Sequence, residues 1–154
     1  GTGIVHSEIN KSSQPCRFLQ IWIEPEQIGI TPDYDQKPIA IGTGWTTLIH
    51  PDAPSDAMAT ASATRMWRAR PNPHADLPLP AATEHSLWIQ VIDGELELRN
   101  DNGSTYPLKR GDGVGIVDLT TGTHTLVGMN TTADVLLLAL NNNRSVGKQA
   151  DGGT

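Results

Sequence analysis

The sequence predicts an all-β fold, and three observations lead to this prediction. The chain of 154 residues contains 15 Gly and 11 Pro, a share of turn-forming residues that suits many short strands. No stretch shows the sustained 3.6-residue periodicity of a long amphipathic helix. Residues 95–99 alternate strictly between polar and apolar types, which is typical of a strand with one face in water.

The apolar and β-branched runs predict strands along most of the chain. Residues 58–69 are expected to form two strands rather than an Ala-rich helix, because residues 64–69 alternate. Residues 70–80 carry four prolines and are expected to be irregular. The other predicted strands are residues 17–23, 44–49, 88–92, 95–99, 105–108, 114–117, 123–127 and 133–140.

The dipeptide Asp93-Gly94 predicts a tight hairpin between residues 88–92 and 95–99. Both central positions of a two-residue hairpin turn need a positive φ, which Gly adopts at least cost, followed by Asn and Asp. A second hairpin is expected to follow, with a loop at residues 100–104.

The charge balance and the single cysteine restrict the classes of function. The formal net charge is -6 and the 11 Lys and Arg residues are scattered, which argues against direct nucleic-acid binding. No run of about 18 apolar residues is present to span a membrane, and the chain does not start like a signal peptide. Cys16 has no second cysteine to pair with, so we predict a cytoplasmic protein.

His6 and Glu8 are the first candidate site residues. If residues 4–8 form a strand, the two side chains point to the same face. A neutral imidazole nitrogen and a carboxylate oxygen suit a divalent first-row metal, and one or two more histidines would complete the open site of a non-haem iron oxygenase. From spacing alone, a surface pair without a metal is the alternative.

Residues 1–8 have the sequence Gly-Thr-Gly-Ile-Val-His-Ser-Glu. They are followed by Asn10, by the run Phe-Leu-Gln-Ile-Trp-Ile at 18–23 and by Pro25. This sequence resembles the middle of pirin-family proteins, in particular the pirin-like quercetinases of bacteria. The Leu-x-x-Gly-Asp turn at 108–112 resembles the centre of a cupin barrel. The resemblance implies the cupin fold, a double-stranded β-helix or jelly roll, in a protein with two such barrels.

The resemblance also implies roles for the first candidate residues. In this family the His and Glu of the motif are two of four ligands to a metal, commonly iron, so His6 and Glu8 are expected to be metal ligands. Glu8 is also the expected catalytic base toward a hydroxyl of a flavonol-like substrate. The two partner histidines belong to an earlier His-Pro-His type segment that this sequence does not contain, so we expect the chain alone to be inactive and poor in metal.

By the same resemblance the chain is the C-terminal portion of a bicupin. Residues 1–30 would be terminal strands of the first cupin, 31–37 a linker and 38–143 the second barrel. Residues 144–154 lack apolar side chains and are expected to be disordered. The leading segment is expected either to dock on the second barrel as an edge strand or to pair with another copy, which would give a homodimer.

The second barrel is expected to be a packed spacer without a metal. The positions that align with cupin ligands are Ala81, Thr83 and Leu87, which cannot bind one. A site of His85 and His124 with one carboxylate is the alternative, although ligands offset in this way would face the wrong side of the strand. The residues predicted to fill the interior are Trp88, Leu96, Val114, Ile116, Leu126 and Leu138.

A second class of function follows from the same resemblance. Some pirins are partners of transcription factors or metabolic enzymes. The alternative to an oxygenase is therefore a metal-free cupin that serves as a binding surface in a pirin-type regulatory protein.

Overall fold

The structure, a computed structural model, describes residues 3–54, 56–81, 85–117 and 123–141. These ranges contain nine strands, and they contain no helix long and apolar enough to cross a membrane. The predicted all-β class is confirmed. The strands are β1 (Thr46–Ile49), β2 (Arg65–Ala69), β3 (Asp76–Pro78), β4 (His85–Asp93), β5 (Glu95–Asn100), β6 (Thr105–Lys109), β7 (Gly113–Ile116), β8 (His124–Gly128) and β9 (Asp134–Asn141).

The strands form two antiparallel sheets that pack face to face. One sheet has five strands in the order β1-β2-β9-β4-β7, and the other has four in the order β3-β8-β5-β6. Because successive strands often belong to different sheets, the chain winds around a shared interior as in a jelly roll. This is the cupin architecture expected from the resemblance.

The turn at Asp93-Gly94 does not close a hairpin, so that prediction is wrong. β4 pairs with β7 and β9, whereas β5 pairs with β6 and β8. The chain therefore passes from the five-stranded to the four-stranded sheet at this turn. Gly94 does have the positive φ that the dipeptide predicted, at 74°. The hairpin that does form joins β5 to β6 through residues 101–104.

The interior between the two sheets is apolar. Of the six residues predicted to fill it, Leu96, Ile116 and Leu126 lie in the main core and Val114 packs against it. The other two lie on the outer face of the five-stranded sheet, because side chains along a strand alternate between faces. Leu138 belongs to a smaller outer cluster with Met66 and Leu136.

Trp88 is the second residue misplaced by the sequence analysis, since it is 40% exposed. In β4 the inward positions are Leu87, Ile89 and Val91, all buried. The Trp88 ring lies across Gly113, where an added side chain would collide with it. A glycine on the neighbouring strand thus makes room for the aromatic ring on the outer face.

Two further segments differ from expectation. Residues 58–69 contain one strand, β2, together with an isolated bridge from Met58 to Ile49, rather than two strands. The proline-rich segment expected to be irregular contains β3. β3 lies at the edge of its sheet, where Pro78 costs no ladder hydrogen bond.

Residues 3–45 contain no strand, so neither the expected buried strand at 17–23 nor docking as an edge strand is observed. A strand needs a hydrogen-bonded neighbouring strand, and none of the described strands pairs with residues 17–23. Trp22 is 84% exposed there, and only Ile23 packs against the outer cluster. Residues 144–154, which were expected to be disordered, lie outside the described residues.

Candidate functional site

His6 and Glu8 lie close together, as their spacing predicted. The Nε2 atom of His6 is 3.6 Å from the Oε1 atom of Glu8, and the side chains are 55% and 58% exposed. The backbone around them is extended but unpaired. The two-residue spacing brings the side chains together without a sheet, because extended backbone alone places alternate side chains on one side.

This geometry fits two ligands of one metal ion. An ion about 2.1 Å from each donor atom would hold the two atoms roughly 3.0 to 3.6 Å apart, for bond angles from about 90° to 120°. Both side chains are open to solvent, so an ion could reach them. Among the described residues, however, no group of three or more His, Cys, Asp or Glu side chains could hold a metal. Within this part of the chain the pair supplies two donors only.

A second pair of the same chemical kind lies in the β1–β2 connection. His50 Nδ1 is 3.7 Å from Asp52 Oδ2 and also accepts a hydrogen bond from the Asp52 backbone N–H at 3.1 Å. The spacing, the residue types and the distance are close to those of His6 and Glu8. This turn is therefore a natural control for any test of metal binding.

Residues 19–27 lie over the outer face of the five-stranded sheet. Ile23 packs against the cluster of Met66 and Leu136. Glu26 fixes the segment in place, since its N–H donates to Ala61 O at 3.1 Å and its Oε1 accepts from Ala63 N–H at 3.0 Å. The segment is thus attached at Ile23 and Glu26.

A groove of about 1240 Å³ separates the rest of this segment from the sheet. Trp22 borders it on one side, and Trp88, Leu136 and Leu138 border it on the other. These side chains make the groove partly apolar. A groove of this kind on an exposed surface is typical of a contact site for another protein surface.

In the second barrel, the three positions that align with cupin metal ligands are Ala81, Thr83 and Leu87, and the structure describes two of them. Leu87 is buried in the core and Ala81 is exposed, while Thr83 lies outside the described residues. His85 begins β4 and His124 begins β8. The side chain of His85 lies outside the described part of the structure, so the alternative site of His85 and His124 stays a prediction.

The sequence analysis named His124 but did not anticipate that Arg65 and Asn100 are also polar residues of the barrel interior. Three side-chain atoms are buried there without a hydrogen-bond partner among the described residues: Arg65 Nε, Asn100 Oδ1 and His124 Nδ1. The available signal was the alternation Arg65, Trp67, Ala69 in β2, which places a cation on the inward face. This signal is useful only if the inward face of β2 is known. The sequence does not reveal it, because Trp67 and Ala69 on one face and Met66 on the other are all apolar.

The fold defines this protein as a cupin, with a jelly-roll barrel built from two sheets. The candidate pair of metal ligands lies outside the barrel, in the residues that precede β1. The sequence profile of the quercetinase C-terminal cupin domain matches residues 47–140. The chain therefore belongs to the pirin family of quercetinase-like cupins, and its barrel is the C-terminal domain of that family.

Two relatives show the extent of the similarity. Quercetin 2,3-dioxygenase of Escherichia coli (strain K12) is 34% identical over 119 residues, which are 77% of this chain and 49% of that protein. A putative quercetin 2,3-dioxygenase of Mycobacterium tuberculosis (strain ATCC 25618 / H37Rv) is 35% identical over 124 residues, 77% of this chain and 48% of that protein. The chain thus spans about half the length of the curated relatives it matches.

Solved structures agree with this assignment. The crystal structure of YhhW from Escherichia coli superposes with a TM-score of 0.66 at 26% identity, covering 77% of this chain and 47% of that one. A structure of the bacterial pirin YhhW in complex with nickel(II) gives a TM-score of 0.64 at 26% identity, with 76% and 47% coverage.

Proposed function

We propose that this chain is the C-terminal part of a two-barrel, metal-dependent dioxygenase of the quercetin 2,3-dioxygenase type. In this proposal residues 1–30 complete a preceding cupin, residues 31–37 are a linker and residues 38–143 are the second barrel. The observation that carries the proposal is the pair His6 and Glu8, 3.6 Å apart and open to solvent, in a chain of this family. A cytoplasmic location is part of the same proposal.

His6 and Glu8 supply two ligands of a divalent metal, with iron the expected ion. When bound, the metal provides a Lewis acid that polarises an oxygen of a flavonol-like substrate. Glu8 has a second role in this proposal, as the base that accepts the proton of a substrate hydroxyl. Its exposed carboxylate allows both an ion and a substrate to reach it.

The chain alone is expected to be inactive. Two ligands on an exposed, extended segment hold a metal weakly, because ordering the segment opposes binding and open catalytic sites ordinarily use three protein ligands or more. The further ligands are expected to come from the preceding barrel. Metal affinity and turnover are therefore separate measurements.

The metal ligands are tested by titrating the chain with Ni²⁺ and following paramagnetic broadening of NMR signals. We expect signals of residues 5–9 to broaden first, and Glu8→Gln to weaken this binding about tenfold, since a carboxylate ligand is lost. Asp52→Asn removes the carboxylate of the control pair and should leave it unchanged. Equal broadening at both pairs, or quercetin turnover by a metal-loaded monomer, would contradict the proposal.

The catalytic part is tested by joining the N-terminal half of the E. coli relative in front of Gly1. Turnover of quercetin by this chimera is expected to be lost in His6→Ala and Glu8→Gln but kept in His50→Ala. A folded, metal-loaded chimera whose turnover survives both site substitutions would exclude His6 and Glu8 from the reaction.

A second candidate function is a metal-free interaction module. One observation favours it, namely that the apolar side chains of Leu19 and Trp22 line the groove and are exposed, as is the preceding Phe18. Exposed apolar patches of this kind mark contact surfaces. The simplest partner is a second copy of the chain.

A further inference from the structure

The dipeptide Asn-Gly occurs once in the chain, at Asn102-Gly103. Every other asparagine of the sequence is followed by a residue that has a Cβ atom. Glycine lacks this atom, so its backbone nitrogen is less shielded than that of any other residue. Asn102 is therefore the asparagine whose side-chain amide the next backbone nitrogen can reach most easily.

The β5–β6 hairpin loop needs a glycine at this position. The Gly103 N–H donates a hydrogen bond to Asn100 O at 3.1 Å, which closes a turn, and Gly103 has a φ of 86°. A turn followed by a residue in the left-handed conformation is a common hairpin connection, and glycine adopts that conformation at least cost. The residue that the loop requires is thus also the one that leaves Asn102 open to attack.

The side chain of Asn102 is held over Gly103. Its Oδ1 accepts a hydrogen bond from the Ser104 N–H at 2.9 Å. This bond encloses the Gly103 backbone, so it keeps the side-chain amide close to the peptide bond of Gly103. It also withdraws electron density from the amide carbonyl, which makes the Cγ atom a better target for a nucleophile.

The loop is free to change its conformation. Asn102 and Gly103 are exposed, and no described atom lies within 4 Å of the position that a Cβ on Gly103 would take. The Gly103 N–H must leave Asn100 O before its nitrogen can react. Breaking this one exposed hydrogen bond disturbs no core contact, and local openings of this kind cost little free energy.

The two Asp-Gly pairs among the described residues are held differently. Gly94 packs against the backbone of the β8–β9 loop. The Oδ2 atom of Asp112 accepts a hydrogen bond from the Lys109 N–H at 2.9 Å, so this side chain is directed backward along the chain. Gly113 lies under the ring of Trp88. An ionised carboxylate is also a poorer target for a nucleophile than an amide, so these pairs should react more slowly.

We propose that Asn102 is a site of spontaneous deamidation. The backbone nitrogen of Gly103 gives its proton to solvent and attacks Cγ of Asn102, forming a bond between these two atoms. The bond from Cγ to Nδ2 breaks, and Nδ2 takes up a proton and leaves as ammonia. Water then opens the resulting succinimide ring at either carbonyl, which yields aspartate or isoaspartate without any oxidation or reduction.

The reaction changes both the charge and the backbone of the loop. Either product places a carboxylate beside Asp101, and the formal net charge becomes more negative than -6. Isoaspartate also inserts a methylene group into the backbone of the turn that Gly103 and Asn100 close, so this turn must rearrange. The site does not involve His6 or Glu8, and this proposal and the oxygenase proposal can fail independently.

The test keeps the 154-residue chain in warm buffer at neutral and at mildly alkaline pH, followed by trypsin digestion and tandem mass spectrometry. Cleavage after Arg99 and Lys109 releases residues 100–109 as one peptide. We expect a mass gain of about 1 Da at Asn102, faster at alkaline pH because the attacking nitrogen must lose a proton. A sample digested without incubation gives the background.

The products identify the route. The converted peptide should separate into two forms of equal mass, one of which isoaspartyl methyltransferase methylates. Aspartate without isoaspartate would mean that water attacks the side chain directly, and would overturn the proposal.

Two asparagines in the same sample serve as controls. Asn100 lies in the same peptide and is followed by Asp101, and Asn130 is exposed in the β8–β9 loop and is followed by Thr131. Both should remain largely unchanged while Asn102 is converted. If Asn130 were converted as fast as Asn102, exposure alone would decide the rate and the proposal would be overturned.

A substitution tests the role of the attacking nitrogen. Gly103→Ala should slow the conversion of Asn102 at least about tenfold, because the new methyl group shields this nitrogen. Gly111→Ala is the matched control, since Gly111 also has a positive φ, at 93°, and no described atom within 4 Å of an added Cβ, but follows Arg110. It should leave the rate unchanged. An equal rate in Gly103→Ala and the wild-type chain overturns the proposal, and the comparison of Asn102 with Asn130 needs no variant.

Discussion

Asp134 is the residue with the densest set of ionic contacts among the described residues. Its Oδ1 and Oδ2 accept hydrogen bonds from Arg68 Nε and Nη2, both at 2.7 Å, and Oδ2 also accepts one from Arg70 Nε at 3.0 Å. Burial raises the pKa of the carboxyl, but the hydrogen bonds from Arg68 and Arg70 outweigh it and hold this pKa below its usual range. The same pairing raises the pKa of Arg68, chiefly through the hydrogen bond to Asp134.

These contacts predict how the stability of the barrel depends on pH. Because the folded-state pKa of Asp134 is lowered, its stabilising effect is present above the unfolded-state pKa of about 4 and is lost as the pH falls through the lower folded-state value. Asp134→Asn should therefore reduce the free energy of unfolding by about 2 kcal/mol at pH 7, and by progressively less below about pH 4. Urea denaturation at several pH values measures the difference.

Glu97→Gln provides the control for this prediction. Glu97 also binds an arginine, with Arg99 Nε 2.6 Å from Glu97 Oε1, but half of the Arg99 side chain is exposed. Exposed pairs contribute about 0 to 1 kcal/mol. If Asp134→Asn had an effect as small as Glu97→Gln, or one that did not change with pH, the account of Asp134 would be wrong.

At the same scale, sequence spacing was sufficient to predict one polar pair and insufficient to predict another. His6 and Glu8 are neighbours along extended backbone, so their proximity needs no knowledge of the fold. Asn100 and His124, by contrast, are 24 positions apart in the sequence and are neighbours only through the register of β5 and β8. Long-range pairing of this kind cannot be read from the spacing of the residues.

Among the elements, the corner at Gly94 determines how the two sheets are joined. Gly94 has φ 74°, and a Cβ there would lie 2.8 Å from Ala133 Cα and 3.0 Å from Thr132 O. Gly103, in the β5–β6 hairpin loop, has φ 86° but has nothing within 4 Å of an added Cβ. The two glycines therefore share a positive φ, which would strain any other residue, but they differ in packing.

This difference yields a matched pair of substitutions. Gly103→Ala should cost about 1 kcal/mol of unfolding free energy, from the left-handed conformation alone. Gly94→Ala adds a clash with backbone atoms that cannot move as a flexible side chain does, so we expect a loss of about 3 kcal/mol or more. Thermal and urea unfolding measure both variants. Equal losses would mean that the corner relaxes around the new methyl group.

Local patterns predicted most strands but not their partners. Alternation in residues 95–99 correctly placed Leu96 inside, because a half-exposed strand shows which face is apolar. β4 is apolar on both faces, so its own sequence could not show that Trp88 points outward over Gly113. Likewise Asp93-Gly94 specifies a positive φ, which a hairpin and a corner between sheets need equally.

For the molecule as a whole, the segment before β1 exposes apolar side chains that another protein surface could cover. Phe18, Leu19, Ile21 and Trp22 expose between 41% and 84% of their surface, and the groove beside them is bordered by Trp88. In a second copy the same apolar side chains could fill this groove, and the contact would be reciprocal. We therefore expect two chains to associate through residues 18–22.

Sedimentation equilibrium tests this expectation. The chain should form a dimer that dissociates on dilution, and Trp22→Lys should shift it to monomer. Val117→Lys is the control. Val117 is also an apolar residue with 79% of its surface exposed, but it is far from residues 18–22 in the sequence and does not line the groove. A monomer at every concentration, with residues 3–22 cut readily by protease, would remove the case for self-association.

The position of β9 has a consequence for how the protein is made. β9 is the last strand that the structure describes, yet it lies between β2 and β4 in the middle of its sheet and is buried from Val135 to Ala139. While a ribosome is still adding residues before Asp134, β2 and β4 therefore have no strand to join them. A stalled or prematurely ended translation product would expose both unpaired edges, making it a target for chaperones rather than a smaller native domain.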